Sequence, residues 1–509
     1  MFFWRKRGRE QKRKAEKGVS TLVKALEENL NRFQNEVLKD DDFIIYRRFS
    51  TPEPAHFTCA LIYADNMVEH CFLSDSVIRP LMRHPLPKLK GRDLIKYISH
   101  HVIYGHDVDV DDRVNNLAQE IVSGAAVVLV DGCSAAIIVD AQGWEKRAVS
   151  EPVSESVVRG PRVGFTEDVG AGAALLRRKL KSPGLKMKCL EVGERTKTKV
   201  VLAYLEDVAD PGLVAEVRGR IEQIKIDGIL ESGYIEELIG DSVKTTLPTV
   251  GNTERPDVVA AKLLEGRVAV LVDGTPFALT MPYLFMEAFQ ANEDYFKHWI
   301  GASFSRFLRY LSFFLTTSIP ALYLSLITFH PRLIPTELVL SISASQKDVP
   351  FPAAVEVVVL GLMFEILREG GVRLPQPIGQ SISIVGAIVL GEAAVMAHLV
   401  SAPMIIVIAI TGISGFVIPT LHNTTVFLRL FFVLLASVLG LYGFLLGFIA
   451  LLIHLSSLHS FGIPYLTSLS SFTSQDFKDT LIRGPWWRMF WRPRRIGAGD
   501  RVRLRGTQL

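Results

Sequence analysis

Cysteine is scarce: Cys59, Cys71, Cys133 and Cys189 are the four in 509 residues. None is spaced C-x-x-C, so neither a zinc site nor a disulfide framework is indicated, and the usage fits a reducing compartment. No G-x-S-x-G elbow or other pairing of a nucleophile with a base occurs. No G-K-[S/T] follows the glycines of "EPVSESVVRGPRVGFTEDVGAGAALLRRKL" (151–180). Gly160, Gly164, Gly170 and Gly172 therefore read as a loop feeding a helix, whose basic end at Arg177, Arg178 and Lys179 suits the helix dipole. "SHHVIYGHDVDVDD" holds His100, His101, His106, Asp107, Asp109, Asp111 and Asp112, but in no zinc or EF-hand spacing. An acidic loop entering a helix explains it. No enzyme, metal or cofactor is expected. No apolar core of signal-peptide length follows the basic N-terminus.

Charge is the other scarcity, and it is local. The chain is mixed and charged up to about Ile300, and charges thin out from Phe307 to Leu455. The net charge of +4 says little, because the basic residues concentrate at the ends: "WRKRGREQKRK" opens the chain and "RGPWWRMFWRPRRIGAGDRVRLR" nearly closes it. Beside a membrane region, such blocks meet anionic lipid rather than nucleic acid, or remain solvated tails that set topology. Trp486, Trp487 and Trp491 suit the headgroup layer.

Within the charged half, 18–38 reads as an amphipathic helix and "DDFIIYRRFS" as a strand. A pattern then occurs twice. "CALIYADN" (59–66) resembles "VVLAYLED" (200–207), and "VVLVDG" (127–132) resembles "AVLVDG" (269–274). Aligning Tyr63 with Tyr204 brings Asp131 within one residue of Asp273. Two related α/β subdomains follow, each ending in a hairpin whose Asp-Gly turn takes positive φ at both central positions.

The apolar half offers spans at 311–329, 381–400, 404–418 and 426–455, the last long enough to require tilt. Pro320 lies inside the first. Gly443 and Gly447 form G-x-x-x-G, a spacing for close helix packing. The stretch 349–367 carries Glu356 and Glu365 and begins at Pro350 and Pro352. Were it a full crossing, the basic tails would lie on opposite sides, against the positive-inside rule. Four full spans plus one re-entrant or buried helix satisfy that rule. Glu365, Arg368 and Glu369 share a helix face that Gly370 and Gly371 are expected to end. They form either an interfacial salt-bridged turn or the lining of an ion path. Glu392 lies midway along a candidate span, and there it must be protonated, paired or pore-facing.

The expected organisation is a basic helix or tail (1–35), two α/β subdomains (36–150 and 151–295), an all-α membrane domain (296–455) and a basic, Trp-containing tail (456–509).

"FEILREGGVRLPQPIGQSISIVGAIVLGEAAV" resembles the signature of GerA-type spore germination proteins, the A subunits of germinant receptors. "SISASQKDVPFPAAVEVVVLGLM", "VVRGPRVGFTEDV", "ILESGYIEELI", "NTERPDVVAAKLLEGRVAVLVDGTPFAL" and "HWIGASFSRFLRYLSFF" agree with it. The resemblance runs from about Glu151 to Tyr465. It implies a multi-pass protein of the spore inner membrane, with the N-terminal region and C-terminal tail on the cytoplasmic (core) side. It also implies a transporter-like B subunit that binds the nutrient, a lipoprotein C subunit, and a homo-oligomeric ring forming a ligand-gated ion path. Glu365, Glu392, Arg368, Glu369 and Glu356 are then the ion-path candidates, and Pro350, Pro352, Gly370, Gly371 and Pro375 shape a broken, gating segment. Where the family reads Gly-Gln-Ala-Ala, this chain reads Gly391-Glu392-Ala393-Ala394. A secondary transporter, a non-conducting scaffold and a sporulation paralogue are the other readings.

Overall fold

A computed structural model describes residues 21–143, 159–242, 244–373, 391–467, 479–493, 496–497 and 499–503, with the single positions 152, 155 and 157. Pro375, the basic N-terminal tail and much of 381–400 lie outside the described residues. The chain divides into two compact units: 1–240 with 250–282 and 490–507, and 241–249 with 283–489 and 508–509.

The first unit is sheet-rich. Its first sheet contains β1 (Ile44–Ser50), β2 (Thr58–Ala64), β3 (Val108–Asp111), β4 (Ala125–Val130) and β5 (Ala136–Asp140), ordered β1-β2-β4-β5-β3. Its second contains β6 (Leu185–Val192), β7 (Thr198–Leu205), β8 (Gly251–Thr253), β9 (Val268–Val272) and β10 (Ala278–Met281), ordered β6-β7-β9-β10-β8. The two orders are the same, and every pairing in both is antiparallel. Helices α1 (Leu26–Arg32), α2 (Arg92–His101) and α3 (Val114–Ser123) accompany the first sheet. Helices α4 (Val169–Lys179), α5 (Pro211–Glu222), α6 (Ser232–Ile239) and α7 (Pro256–Leu263) accompany the second.

Burial on both faces explains why the central strands read as continuous apolar runs. Cys59, Leu61, Val128 and Val130 enter one core with Leu94 and Ile98 of α2. Ala60, Ile62, Val127 and Leu129 enter another with Leu26 of α1 and Leu117 of α3. The alternation is the period of a pleated strand with helices on each side.

The Asp-Gly turns depart from the expected form. Only the glycines, Gly132 (φ 80°) and Gly274 (φ 88°), take positive φ. The two aspartates instead clasp a helix start. Leu26 N–H donates to Asp131 Oδ1 at 3.1 Å, and Val169 N–H donates to Asp273 Oδ1 at 3.2 Å. Gly132 N–H donates to the Lys24 carbonyl (2.9 Å), as Gly274 N–H does to that of Glu167 (2.7 Å). Asp131 N–H reaches the Thr58 carbonyl (2.9 Å), and Asp273 N–H that of Lys199 (3.0 Å). Three hydrogen bonds thus recur in matched positions.

The helical unit begins with α8 (Trp299–Phe329), which starts well before the expected span and contains Pro320. Its 31 residues measure about 46 Å at 1.5 Å per residue. Then come α9 (Thr336–Gln346), α10 (Ala353–Arg373), α11 (Gly391–Met396), α12 (Ala402–Phe416) and α13 (His422–Ser457). Among the described residues, two stretches suit a membrane crossing by length and composition: Trp299–Phe329 and Pro419–Ser457.

The second of these is not one tilted rod. At Gly440 the backbone takes φ 62°, ψ −138°, a left-handed conformation that glycine adopts without steric penalty. A Cβ placed on Gly443 would lie 2.1 Å from the Leu435 carbonyl oxygen, and one on Gly447 2.9 Å from Leu435 Cδ1. Eight residues of straight helix would separate Leu435 and Gly443 by about 12 Å, so the chain doubles back. Phe432 packs edge-on to Phe444 across the two arms. Gly443 and Gly447 let those arms of a single hairpin approach. The hairpin's two ends meet neighbouring residues, since Thr424 Oγ1 donates to the Thr246 carbonyl and His454 Nε2 lies 3.0 Å from Thr245 Oγ1.

Candidate functional site

Among the described residues, three charged groupings of the helical unit join residues distant in sequence. The first closes the unit's entry and exit. Arg309 Nη1 and Nη2 grip both oxygens of Asp294 at 2.7 and 2.9 Å. Arg306, fully buried, lies 3.4 Å from Asp294 Oδ2 and 2.9 Å from Asp479 Oδ1, and it donates to the Asp479 carbonyl at 2.6 Å. Tyr295 Oη donates to Asp479 Oδ2 at 2.6 Å. Two guanidiniums thus pair with two carboxylates, and a third, buried Arg483, lies by the same Tyr295 ring as Arg306. Tyr283 N–H also donates to Ser460 Oγ (3.0 Å) and Phe285 N–H to the Tyr465 carbonyl (3.3 Å). The segments entering and leaving the helices therefore lie at one end of the unit. Arg483 stacks 5.1 Å over the Trp486 ring there, and Trp486 and Trp487 are exposed.

The second is Glu356 on α10. It is 2% exposed and accepts from both the N–H (2.8 Å) and the hydroxyl (2.9 Å) of Ser401. Ser401 is the residue before α12, so a buried carboxylate faces the positive end of a helix dipole. Pro352 precedes α10, and its carbonyl takes the N–H of Val355 and Glu356; Pro350 lies just before it.

The third is Glu365. Its Oε1 lies 2.7 Å from Arg429 Nη2 on α13, and its Oε2 lies 3.5 Å from both Arg368 Nε and His422 Nε2. Arg368 Nη1 also bonds His422 Nδ1. Phe364, Thr411, Gly412 and Phe416 close around this group. Glu369 pairs outward with Arg373 at 2.6 Å, both exposed. The helix does not end at Gly370 and Gly371: α10 runs through both to Arg373. Interior helical glycines cost only about 1 kcal/mol relative to Ala.

Glu392 differs. It stands exposed on α11, with no hydrogen-bond or ion-pair partner among the described residues. The candidate carboxylates thus separate into buried and hydrogen-bonded (Glu356), partly buried and ion-paired (Glu365), exposed and paired (Glu369), and exposed and unpaired among the described residues (Glu392). Arg429 and Asp479 were not singled out in the sequence; sparse charge in an apolar run was the available signal for Arg429.

In the sheet-rich unit, distant motifs meet. Arg255 of "NTERPDVV" donates from Nη2 to the Pro161 carbonyl (2.6 Å) and from Nη1 to that of Glu155 (3.1 Å). Glu231 of "ILESGYIEELI" accepts from the N–H of Gly233 (2.5 Å) and from Thr275 Oγ1 (3.1 Å). Arg177, expected as part of a basic helix end, is buried against Asp41 at 2.8 Å and ties the two sheets' elements together. Beside it opens a cavity of about 870 Å³ lined by Asp65, Asn66, Thr166, Asp168, Arg178, Glu191, Lys199 and Asp273, among others. Asn66 Nδ2 and Oδ1 and Thr166 Oγ1 are shielded there and lack partners among the described residues. Burial first, then Asp42 and Asp41, push the Cys189 thiol at its rim upward, the opposite of a reactive thiolate. Burial pushes Asp111 up, but hydrogen bonds from Arg113 and Asn116 outweigh it and hold the carboxyl at about 2. Among the described residues no group of three or more His, Cys, Asp or Glu could hold a metal ion.

A sheet-rich region followed by a charge-bearing helical part defines a two-part protein with an apolar, membrane-compatible half. Residues 31–495 match the family described as Bacillus/Clostridium GerA spore germination protein, and the chain belongs to that family. It is 41% identical over 481 residues to spore germination protein KA of Bacillus subtilis, covering 94% of this chain and 88% of that one. It is 39% identical to the B. subtilis protein named uncharacterized membrane protein YfkQ, over 94% of this chain and 95% of that one. The N-terminal domain of the A subunit of the Bacillus megaterium spore germinant receptor GerK3 is 35% identical, covering 52% of this chain and 98% of that one, at a TM-score of 0.42.

Proposed function

We propose that this chain is the A subunit of a nutrient germinant receptor in the spore inner membrane, and that copies of it enclose a gated ion path. A transporter-like B subunit and a lipoprotein C subunit complete the receptor, and the basic tails meet anionic lipid. Family membership supports the receptor role. For the path, the supporting observation is Glu392: it keeps an exposed, uncommitted carboxylate in an apolar stretch, where a lone charge costs at least about 2.5–3.5 kcal/mol. Assembly around water removes that cost, and a ring of carboxylates favours cations. Glu356 and Glu365 are held by Ser401 and Arg429, so their role is to fix helices. Entry and exit at one end of the helical unit imply an even number of passes, in keeping with two basic tails on the cytoplasmic side.

Gating follows if nutrient binding favours the open arrangement over the closed one. The cavity beside Asn66 and Thr166 offers unsatisfied polar groups to a small polar molecule and is a second place where such a ligand could act. Reconstitution of the purified assembly tests the path. Unitary cation currents support it; slow saturable uptake points to a carrier, and intact assemblies without flux to a scaffold.

A further inference from the structure

Two exposed surfaces of the sheet-rich unit are apolar and opposite in charge. Leu230, Tyr234 and Leu238 fall four residues apart and are 68%, 42% and 52% exposed. The spacing places Tyr234 and Leu238 on one face of α6, and Leu230 lies two residues ahead of that helix. Single exposed apolar residues are ordinary, but an aligned row marks a contact surface. From 227 to 240 every charged residue is acidic: Asp227, Glu231, Glu236 and Glu237. In the other subdomain, Met82 (48%) and Leu89 (36%) are exposed. There the segment 79–92 holds Arg79, Arg83, Lys88, Lys90 and Arg92, all exposed; Arg79 pairs with Asp75 and Arg92 with Asp112, which leaves Lys88 and Lys90 as the charges beside Leu89.

The two surfaces lie in corresponding connections of the two sheets. Segment 79–92 lies between β2 and β3 and leads into α2; 227–240 lies between β7 and β8 and contains α6. Because the strand orders agree, each patch lies in the corresponding connection of its own sheet, the basic one ahead of α2 and the acidic one across α6. Both are exposed, so they do not cover each other within one chain. An anionic lipid surface would repel the acidic patch. A second copy of this chain offers both what the acidic row and what the basic segment need.

We propose that the acidic apolar row Leu230–Tyr234–Leu238 of one copy docks on the basic segment at Met82, Lys88, Leu89 and Lys90 of the next. The contact is head-to-tail, so repeating it closes a ring when the rotation permits. This rests on the oligomeric receptor reading and assigns it a contact surface.

Charge exchange on the full chain in detergent tests it, with self-association followed by light scattering. Lys88→Glu with Lys90→Glu is expected to weaken association about tenfold, equivalent to about 1.4 kcal/mol. Adding Asp227→Lys and Glu237→Lys is expected to restore it to within about threefold, since opposite-charge pairing fixes such contacts. In a Cys71→Ser, Cys189→Ser background, a Leu89→Cys copy co-expressed with a Leu238→Cys copy is expected to form a disulfide between chains. An assembly of unchanged mass and affinity after the Lys reversals would overturn the surface while leaving the oligomer standing. A chain that stays monomeric throughout would overturn both.

Discussion

Glu365 and Arg429 stand on different helices and meet at 2.7 Å, with Arg368 and His422 beside them. One carboxylate therefore holds α10 against the first arm of the α13 hairpin. Arg429 is buried and Glu365 partly so; removing one partner leaves the other uncompensated, at a cost that reaches about 3–5 kcal/mol for a fully buried pair, whereas replacing both can be nearly neutral. Glu365→Leu is expected to lower the Tm of the detergent-solubilised chain sharply, and Glu365→Leu with Arg429→Leu to recover much of the loss. Equal losses in the single and double variants would show that the pair does not act as a unit.

The reversal at Gly440 makes a topological prediction. Val438 and Tyr442 flank the turn and are exposed, whereas Thr424 and His454 sit at the other end of the hairpin. A cysteine at Val438 or Tyr442 is expected to react with a membrane-impermeant reagent from one side of the bilayer, and one at Ser457 from the other. Reaction of all three from one side would contradict the hairpin as a membrane-crossing element. Gly440→Val, which puts a β-branched residue at positive φ, is expected to abolish the folded assembly on size-exclusion chromatography.

The contact of Glu356 with Ser401 separates two contributions. Ser401→Ala removes the hydroxyl donor but keeps the backbone N–H, and is expected to cost about 1 kcal/mol. Glu356→Ala removes the acceptor for both and is expected to cost more, read as a larger fall in Tm. A smaller fall for Glu356→Ala than for Ser401→Ala would remove the carboxylate from its capping role.

Glu236 gives a pH dependence. Burial, the largest influence, raises its carboxyl above the ordinary 4.5; a bond from Asn252 opposes this and Glu231 adds to it. The folded-state value lies above the unfolded one, so ionisation disfavours the fold above the folded value, and that penalty vanishes as pH falls to 4.5 and below. Glu236→Gln is expected to raise the Tm near pH 7 and to leave it almost unchanged near pH 4. An equal gain at both values would assign the effect to something other than ionisation.

The doubled sheet was readable in the sequence because its central strands are buried on both faces. "CALIYADN" and "VVLAYLED" carry the same apolar run for the same reason, and β2 and β7 take the same place in two sheets of one strand order. The matched roles of Asp131 and Asp273 could not be read, since each reaches a helix start distant in the chain. The helical unit was less legible. The apolar run through Gly440 is continuous in composition, and only backbone geometry reveals that it folds back. Spacing placed Glu365, Arg368 and Glu369 on one face, but Arg429 and His422 come from a helix far along the chain. Gly370 and Gly371 suggested a helix end, yet α10 runs through both to Arg373. Arg306 and Arg309 lie just before the span expected at 311–329, and their partners Asp294 and Asp479 come from outside it.

The most direct test of the ion path is potassium release from spores after addition of a rich nutrient mixture, with native chain or the Glu392→Leu variant at equal amounts in the inner membrane. The account predicts prompt release with the native chain and little or none with Glu392→Leu, at unchanged assembly mass. Release at the native rate from spores whose only copy of the chain carries Glu392→Leu would contradict it.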